Sequence, residues 1–169
     1  MELLEQLISR VTAVRDGLAN GTLVRDVLVN HQDDILTLQK EQLFNGKRSD
    51  GEDMRPFYSE DLKPTGHFYT VEAAKRYSDW KLSIPYPSAA QRANRNPDAP
   101  NLYINGKFHS ELGVRFDTDS VSVTPTTPSA TEIMARYGIE SFGLTTENWN
   151  MIWQEGALDE LMNIIKEIL

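Results

Sequence analysis

Three histidines, His31, His67 and His109, are the side chains most suited to proton transfer or metal binding near neutral pH. No two of them stand at ligand spacing, so a zinc or iron site would need folding alone to bring them together. The plainer reading makes His31 a partly buried helix residue and the other two surface residues. His109, Glu111 and Arg115 sit at offsets of two and four, which places them on one face of an extended strand. That cluster is the best case for a small hydrolase. It equally describes the solvent side of a half-buried strand whose other face carries Leu112, Val114 and Phe116. The adjacent pairs Asp33-Asp34, Glu60-Asp61 and Asp159-Glu160 point apart on a helix and read as solvated faces rather than acid–base pairs. Asp50-Gly51-Glu52-Asp53 lacks the alternating oxygen ligands of a calcium loop, and Lys47 and Arg48 stand where such a loop wants oxygen. Neither a Gly-x-Ser-x-Gly elbow nor a glycine-rich phosphate loop is present. No enzyme, metal or cofactor is expected from these residues.

Arginine and tyrosine offer different chemistry. Arg92 and Arg95 lie near Tyr86 and Tyr103, and Arg48 and Arg55 flank or lie within a turn-rich segment. Basic residues interleaved with aromatics can hold single strands of nucleic acid. Two arginines are too few to dominate such affinity, and Asp98 is close. Arginine and tyrosine are also favoured at protein–protein interface centres. Arg48, Arg55, Tyr86, Arg92, Arg95 and Tyr103 are therefore the expected partner-binding residues.

The chain that must position them has 169 residues, enough for a single domain without disulfide or metal support. It has no cysteine, which removes thiol nucleophiles and thiolate metal sites. Its formal charge is −8, with 17 basic and 25 acidic residues. From Asn96 onward four basic residues face eleven acidic ones. A net acidic chain without a basic block is a poor wrapper of nucleic acid. No apolar run approaches the ~20 residues that span a bilayer, and the start lacks the basic head of a secretory signal.

Apolar periodicity predicts a helix over residues 2–15, with Leu3, Leu4, Leu7, Ile8, Val11 and Val14 in one stripe, broken by Asp16-Gly17 and Asn20-Gly21. A second helix is expected over 23–43, pairing with the first or docking beside it on a common surface. Residues 44–58 read as a hairpin or arm, with Gln42-Leu43-Phe44 and Met54 to Tyr58 as its sides and a turn at 45–51. Pro56 confines the second side to an edge. A loop over 59–69 leads to Thr70, the expected N-cap of a helix over 71–82. Residues 85–100 carry four prolines and read as a loop or contact arm. Asn105-Gly106 between apolar segments predicts a hairpin of Leu102–Ile104 with Lys107–His109. Leu112 to Phe116 alternates, as do Val121 and Val123, giving three antiparallel strands in all. Asp117-Thr118-Asp119 forms their turn. Ser129 and Glu132 form a capping box for a short helix closed by Gly138. Residues 139–144 are expected to be extended. A final helix of about 22 residues, capped by Thr145 or Thr146, contains Gly156, which marks a bend or a close crossing.

The expected fold is thus α+β over 1–169: a small antiparallel sheet packed against long amphipathic N- and C-terminal helices, with extended loops or arms. Its order of elements resembles a known family. Ala135-Arg136-Tyr137-Gly138, then Phe142-Gly143-Leu144-Thr145, then Asn148-Trp149 and the last helix resemble the end of phage tail-completion or head–tail joining proteins. Leu102-Tyr103-Ile104-Asn105-Gly106-Lys107-Phe108 resembles the entry into that family's sheet. Gln42-Leu43-Phe44-Asn45-Gly46 with Asp50-Gly51 resembles small virion proteins of crAss-like phages. The stretch 55–100 is longer than in that family, and Glu140-Ser141 replaces its usual proline-rich strand.

The resemblance implies a non-enzymatic subunit of a homo-oligomeric ring in the virion neck, between portal and tail. Its implied partners are copies of itself and portal, connector or tail proteins, with DNA only as passing cargo and no membrane. The host cytoplasm would hold it during assembly. A second reading is a phage-encoded inhibitor or regulatory binding protein, for which a small, acidic, cysteine-free chain is also suited. A small enzyme built on the His109 cluster is the third.

Overall fold

A computed structural model describes residues 2–85, 95–117, 120–128 and 130–169. The chain is α+β, with helices predominating and one two-stranded antiparallel sheet among the described residues.

The N-terminal helix α1 (Glu2–Ala19) runs through the expected break at Asp16-Gly17 and stops at Asn20-Gly21. Gly17 is buried in α1, and a Cβ there would lie 2.8 Å from Leu23 Cγ. The missing side chain lets the next helix fold back closely. The long second helix is two helices, α2 (Thr22–Asn30) and α3 (Gln32–Phe44). His31 interrupts them with φ −96° and ψ 17°. Its imidazole lies 3.0 Å from Asp34 and 3.3 Å from Glu160, while Asn30 Nδ2 donates to Glu160 at 2.5 Å. The break is therefore fastened to the C-terminal helix by side chains that a helical period does not reveal.

Gln42, Leu43 and Phe44 end α3 rather than forming one side of a hairpin. The hairpin that does form is smaller. Lys47 bridges Asp53, the Arg48 amide donates to Glu52 O (2.9 Å) and the Met54 amide to Gly46 O (2.6 Å). Gly46 has φ 71°, and a Cβ there would sit 2.9 Å from Ala99 Cβ, so both its conformation and its neighbour require glycine. Helix α4 (Val71–Ser83) starts as expected, with Thr70 Oγ1 accepting from the Ala73 amide (3.1 Å).

The three-stranded sheet is corrected to two strands. Gly106 takes φ 81° and begins a short helix, α5 (Lys107–Ser110), so Lys107–His109 is helical and Leu102–Ile104 pairs with nothing as a strand. The Asn105 side chain accepts from the Lys107 amide (3.1 Å). Asn-Gly supplies a turn here too, but one that opens a helix. Strands β1 (Leu112–Phe116) and β2 (Val121–Pro125) pair Leu112 with Pro125, Val114 with Val123 and Phe116 with Val121. All six lie on one face, with Arg115 and Ser122 on the other, which is the alternation the sequence predicts. Residues 118 and 119 of the expected turn, and Ser129 of the expected capping box, lie outside the described residues.

Helix α6 (Ala130–Tyr137) ends at Gly138, φ 82°. Residues 139–141 form a 3₁₀ turn, not an extended segment. The expected 22-residue helix is also divided. Helix α7 (Thr146–Ile152), capped by Thr145, passes through a wide turn at Trp153–Ala157 into α8 (Leu158–Ile168). Gly156 causes the interruption, with φ 142° inside that turn. A Cβ on it would lie 3.7 Å from His31 Cε1, so the two helix breaks face each other.

The core gathers Val27, Leu28, Ile35, Leu43, Met54, Leu112, Val123, Leu144, Ile152 and Ala157. It lies between α2–α3, the apolar face of the sheet and the α7 region. The sheet's main helical neighbour is α3, not the terminal helices.

Candidate assembly interface

Of the six expected partner-binding residues, Arg55 stands at the surface. Its guanidinium lies 4.0 Å from the Phe57 ring centroid and 2.5 Å from Glu60 Oε1. Arg48 is held within its own loop by Asp50, and the neighbouring Ser49 amide donates to Glu140 O at 2.8 Å. Arg95 and Tyr103 both meet the chain's own Phe44. The Arg95 guanidinium is 5.4 Å from the Phe44 ring centre, and the Tyr103 ring meets Phe44 edge-on at 5.5 Å. Arg95 Nε and Nη2 are buried with no acceptor among the described residues, and that burial lowers the Arg95 pKa. Tyr86 and Arg92 lie outside the described residues.

The described end of the proline-rich segment is tied into the body. Asp98 O accepts from the Tyr58 amide (2.9 Å), its carboxylate takes the Ser59 amide (3.0 Å) and hydroxyl, and Pro97 O accepts from Ser78 Oγ (2.5 Å). Ala99, Pro100 and Asn101 are buried. Only residues 86–94 remain for a contact arm, and they lie outside the described residues.

The histidines are dispersed. His67 is exposed, 3.1 Å from the Asp61 carboxylate, which also receives Arg136. His109 is corrected from surface to core, at 3% exposure. Its Nε2 is 3.0 Å from Asn101 O, and burial pushes its pKa down to about 4, so the ring is neutral at pH 7 and donates to that carbonyl. His109 is on a helix, Glu111 at the end of that helix and Arg115 on β1, so they do not share a strand face. Among the described residues no group of three His, Asp or Glu could hold a metal ion, and no helix is long and apolar enough to cross a membrane.

The unsatisfied surface lies elsewhere. Every residue from Glu2 to Val11 of α1 is exposed. The stripe of Leu3 (82% exposed), Leu4, Leu7, Ile8 and Val11 thus faces outward rather than into the chain. Helix α8 packs beside α1, with Arg10 Nη1 donating to Leu169 O (2.9 Å), and adds exposed Leu158, Met162 and Leu169. Further exposed apolar side chains, Tyr69, Val71, Trp80, Leu82 and Ile104, stand on other elements, with Val71 and Trp80 on opposite sides of α4. Isolated exposed apolar residues are ordinary, whereas a stripe at helical spacing along three turns is contiguous apolar surface, a feature that marks candidate interaction sites. The sequence displays the stripe openly. What it does not display is whether the covering partner is this chain or another.

Comparison with protein-family models, curated proteins and solved structures returns no match.

Proposed function

We propose that this chain is a structural, non-enzymatic subunit of a tailed phage's neck, assembled as a ring between portal and tail. The observation that supports this reading most is the outward α1 stripe. It presents contiguous apolar surface that the chain itself leaves open, as a subunit awaiting a neighbour would. The exposed Val71 and Leu82 of α4 stand on a different element, on one side of that helix. A head-to-tail ring needs two different, mutually complementary patches on each copy. A second copy placing the Val71 and Leu82 side of its α4 on the α1–α8 face would meet that requirement. The acidic surplus beyond Asn96 would leave DNA free to slide past such a ring. On this reading the finished virion holds the protein in its neck or tail region, and the host cytoplasm holds it during assembly.

Immunogold electron microscopy of particles from the source culture tests the proposal. Gold at one vertex between head and tail is the expected outcome. Protein present in infected cells but missing from a blot of denatured particles would overturn it. A host-directed inhibitor would then be the reading to pursue, beginning with a pull-down from host lysate.

A further inference from the structure

A cavity of about 490 Å³ lies away from the proposed interface stripe, between α4, the 100–108 segment and α6. That volume is in the range of small-molecule sites. Its aromatic wall is Tyr58, Tyr77, Phe108 and Tyr137, and Leu102 and Ile133 add aliphatic surface. The charged groups lining it are Lys81, Lys107 and Glu111. Lys107 is exposed at the margin. Lys81 is different: it is 3% exposed, on the inner face of a helix.

A lysine ammonium has three donors. The Lys81 Nζ has one acceptor among the described residues, the carbonyl of Tyr103, one residue after the left-handed Leu102 (φ 52°). An ammonium so buried is costly unless its remaining donors are met. Carboxylate Glu111 shares the cavity but makes no ion pair with Lys81. An apolar, aromatic-walled space with one under-satisfied cation at its wall has the chemistry to hold a molecule with a flat or branched apolar body and one anionic end.

We propose that this cavity is a binding site for a small organic carboxylate, whose carboxylate accepts from Lys81 Nζ and whose apolar body lies against Tyr58, Tyr77, Phe108 and Tyr137. Lys107 adds a second positive charge at the margin, and Glu111 disfavours ligands with a second anionic group. The α1–α8 stripe supplies none of the cavity's lining, and Ile104 at its edge is the one residue it shares with the exposed apolar side chains around α4.

Isothermal titration of the full chain with indole-3-acetate, 4-phenylbutyrate and octanoate, each beside its neutral amide, tests it. At least one carboxylate should bind at least tenfold more tightly than its amide. Burial and the nearby Arg95 lower the Lys81 pKa to about 7, so an anion beside it should draw in a proton. The binding heat at pH 7 should then vary with the ionisation heat of the buffer. Lys81→Met should weaken binding at least tenfold and abolish that buffer dependence. Ile133→Trp, which leaves Lys81 in place and fills the space, should do the same to affinity and covers the case in which Lys81→Met does not fold. Failure of all three carboxylates to bind overturns the proposal. So does amide binding within twofold of the acid, or unchanged affinity in a folded Lys81→Met or Ile133→Trp protein.

Discussion

Helices α1 and α3 carry apolar residues at similar spacing and meet opposite fates. In α3, Ile35 and Leu43 are wholly buried, and even the polar Gln39 and Gln42 on the same side are covered. Those two glutamines close the face. Gln39 Oε1 accepts from the Gly143 amide (2.7 Å), and Gln42 Nε2 donates to Gly143 O (2.8 Å). Gln42 Oε1 also accepts from the Thr145 amide (2.9 Å) and from Asn148 Nδ2 (3.0 Å). Two side chains thus supply the backbone of 143–145 with the partners that a neighbouring strand would otherwise give. In α1 nothing of the kind exists: residues 2–11 are exposed along the whole stripe. Hydrophobic periodicity marks a face as apolar and does not say that its own chain covers it. In α3 it is Gln39 and Gln42 that fasten the chain's own cover in place.

The contrast is sharpest in stability. Ile35→Ala should destabilise the fold by about 2–5 kcal/mol, because it removes buried methyl groups and leaves a cavity. Urea unfolding at fixed pH measures this, and a loss below ~1 kcal/mol would show that α3 is not the central helix. Gln42→Ala should cost about 3 kcal/mol, since the Thr145 amide, the Gly143 carbonyl and the Asn148 amide lose their partner together. Hydrogen exchange at the Thr145 amide should accelerate with it. Unchanged exchange there would mean that the 143–148 segment is held by something other than α3.

This clamp also marks the limit of what the sequence discloses. The β1–β2 alternation, the Thr70 and Thr145 caps and the bend at Gly156 are local, and residue type with spacing suffices to read them. The end of α3 at Phe44 is local too, set by Asn45 and the left-handed Gly46, but the break at His31 is not. There the imidazole meets Glu160, more than a hundred positions away. Asn105-Gly106 was legible as a turn but not as the start of a helix, because burial of His109 against Asn101 selects between the two. The α1 stripe is legible as a stripe, but its exposure in the folded chain is not. The cavity around Lys81 was invisible, since its wall comes from four separated segments.

His109 belongs to the closed side of the contrast, and pH should loosen it. Its ring is held neutral in the fold, with a pKa of about 4, against an ordinary value of 6.5. Below pH 6.5 the unfolded chain takes up a proton that the folded chain does not. Its contribution is therefore complete above pH 6.5, declines as pH falls, and levels off below about 4. The decline totals about 3 kcal/mol. His109→Gln should flatten the slope of unfolding free energy between pH 6.5 and 4. An unchanged slope would assign that pH dependence to other groups. Gly156→Ala should be milder, about 1–2 kcal/mol, because a side chain at φ 142° is strained while the space beside His31 tolerates ordinary contact. Thermal unfolding measures it, and a gain in stability would show that the wide turn relaxes to regular helix without cost.

The smallest change in stability should come from α1, and there it decides most. Leu4→Gln with Ile8→Gln alters side chains that touch little of their own chain, so the unfolding free energy of the monomer should move by no more than about 0.5 kcal/mol. If the stripe is open because a neighbour covers it, the same pair of changes should abolish self-association in sedimentation velocity and incorporation into particles. The two measurements must be read together. A large stability loss would place the stripe on the closed side of the contrast, covered within the chain after all. An unchanged stability with unchanged association would leave the stripe open but without a role in contacts between copies. The pairing of a silent fold with a lost assembly is the signature of a surface kept apolar for a partner, because only a partner's burial would give those leucines and isoleucines the free energy that their own chain does not.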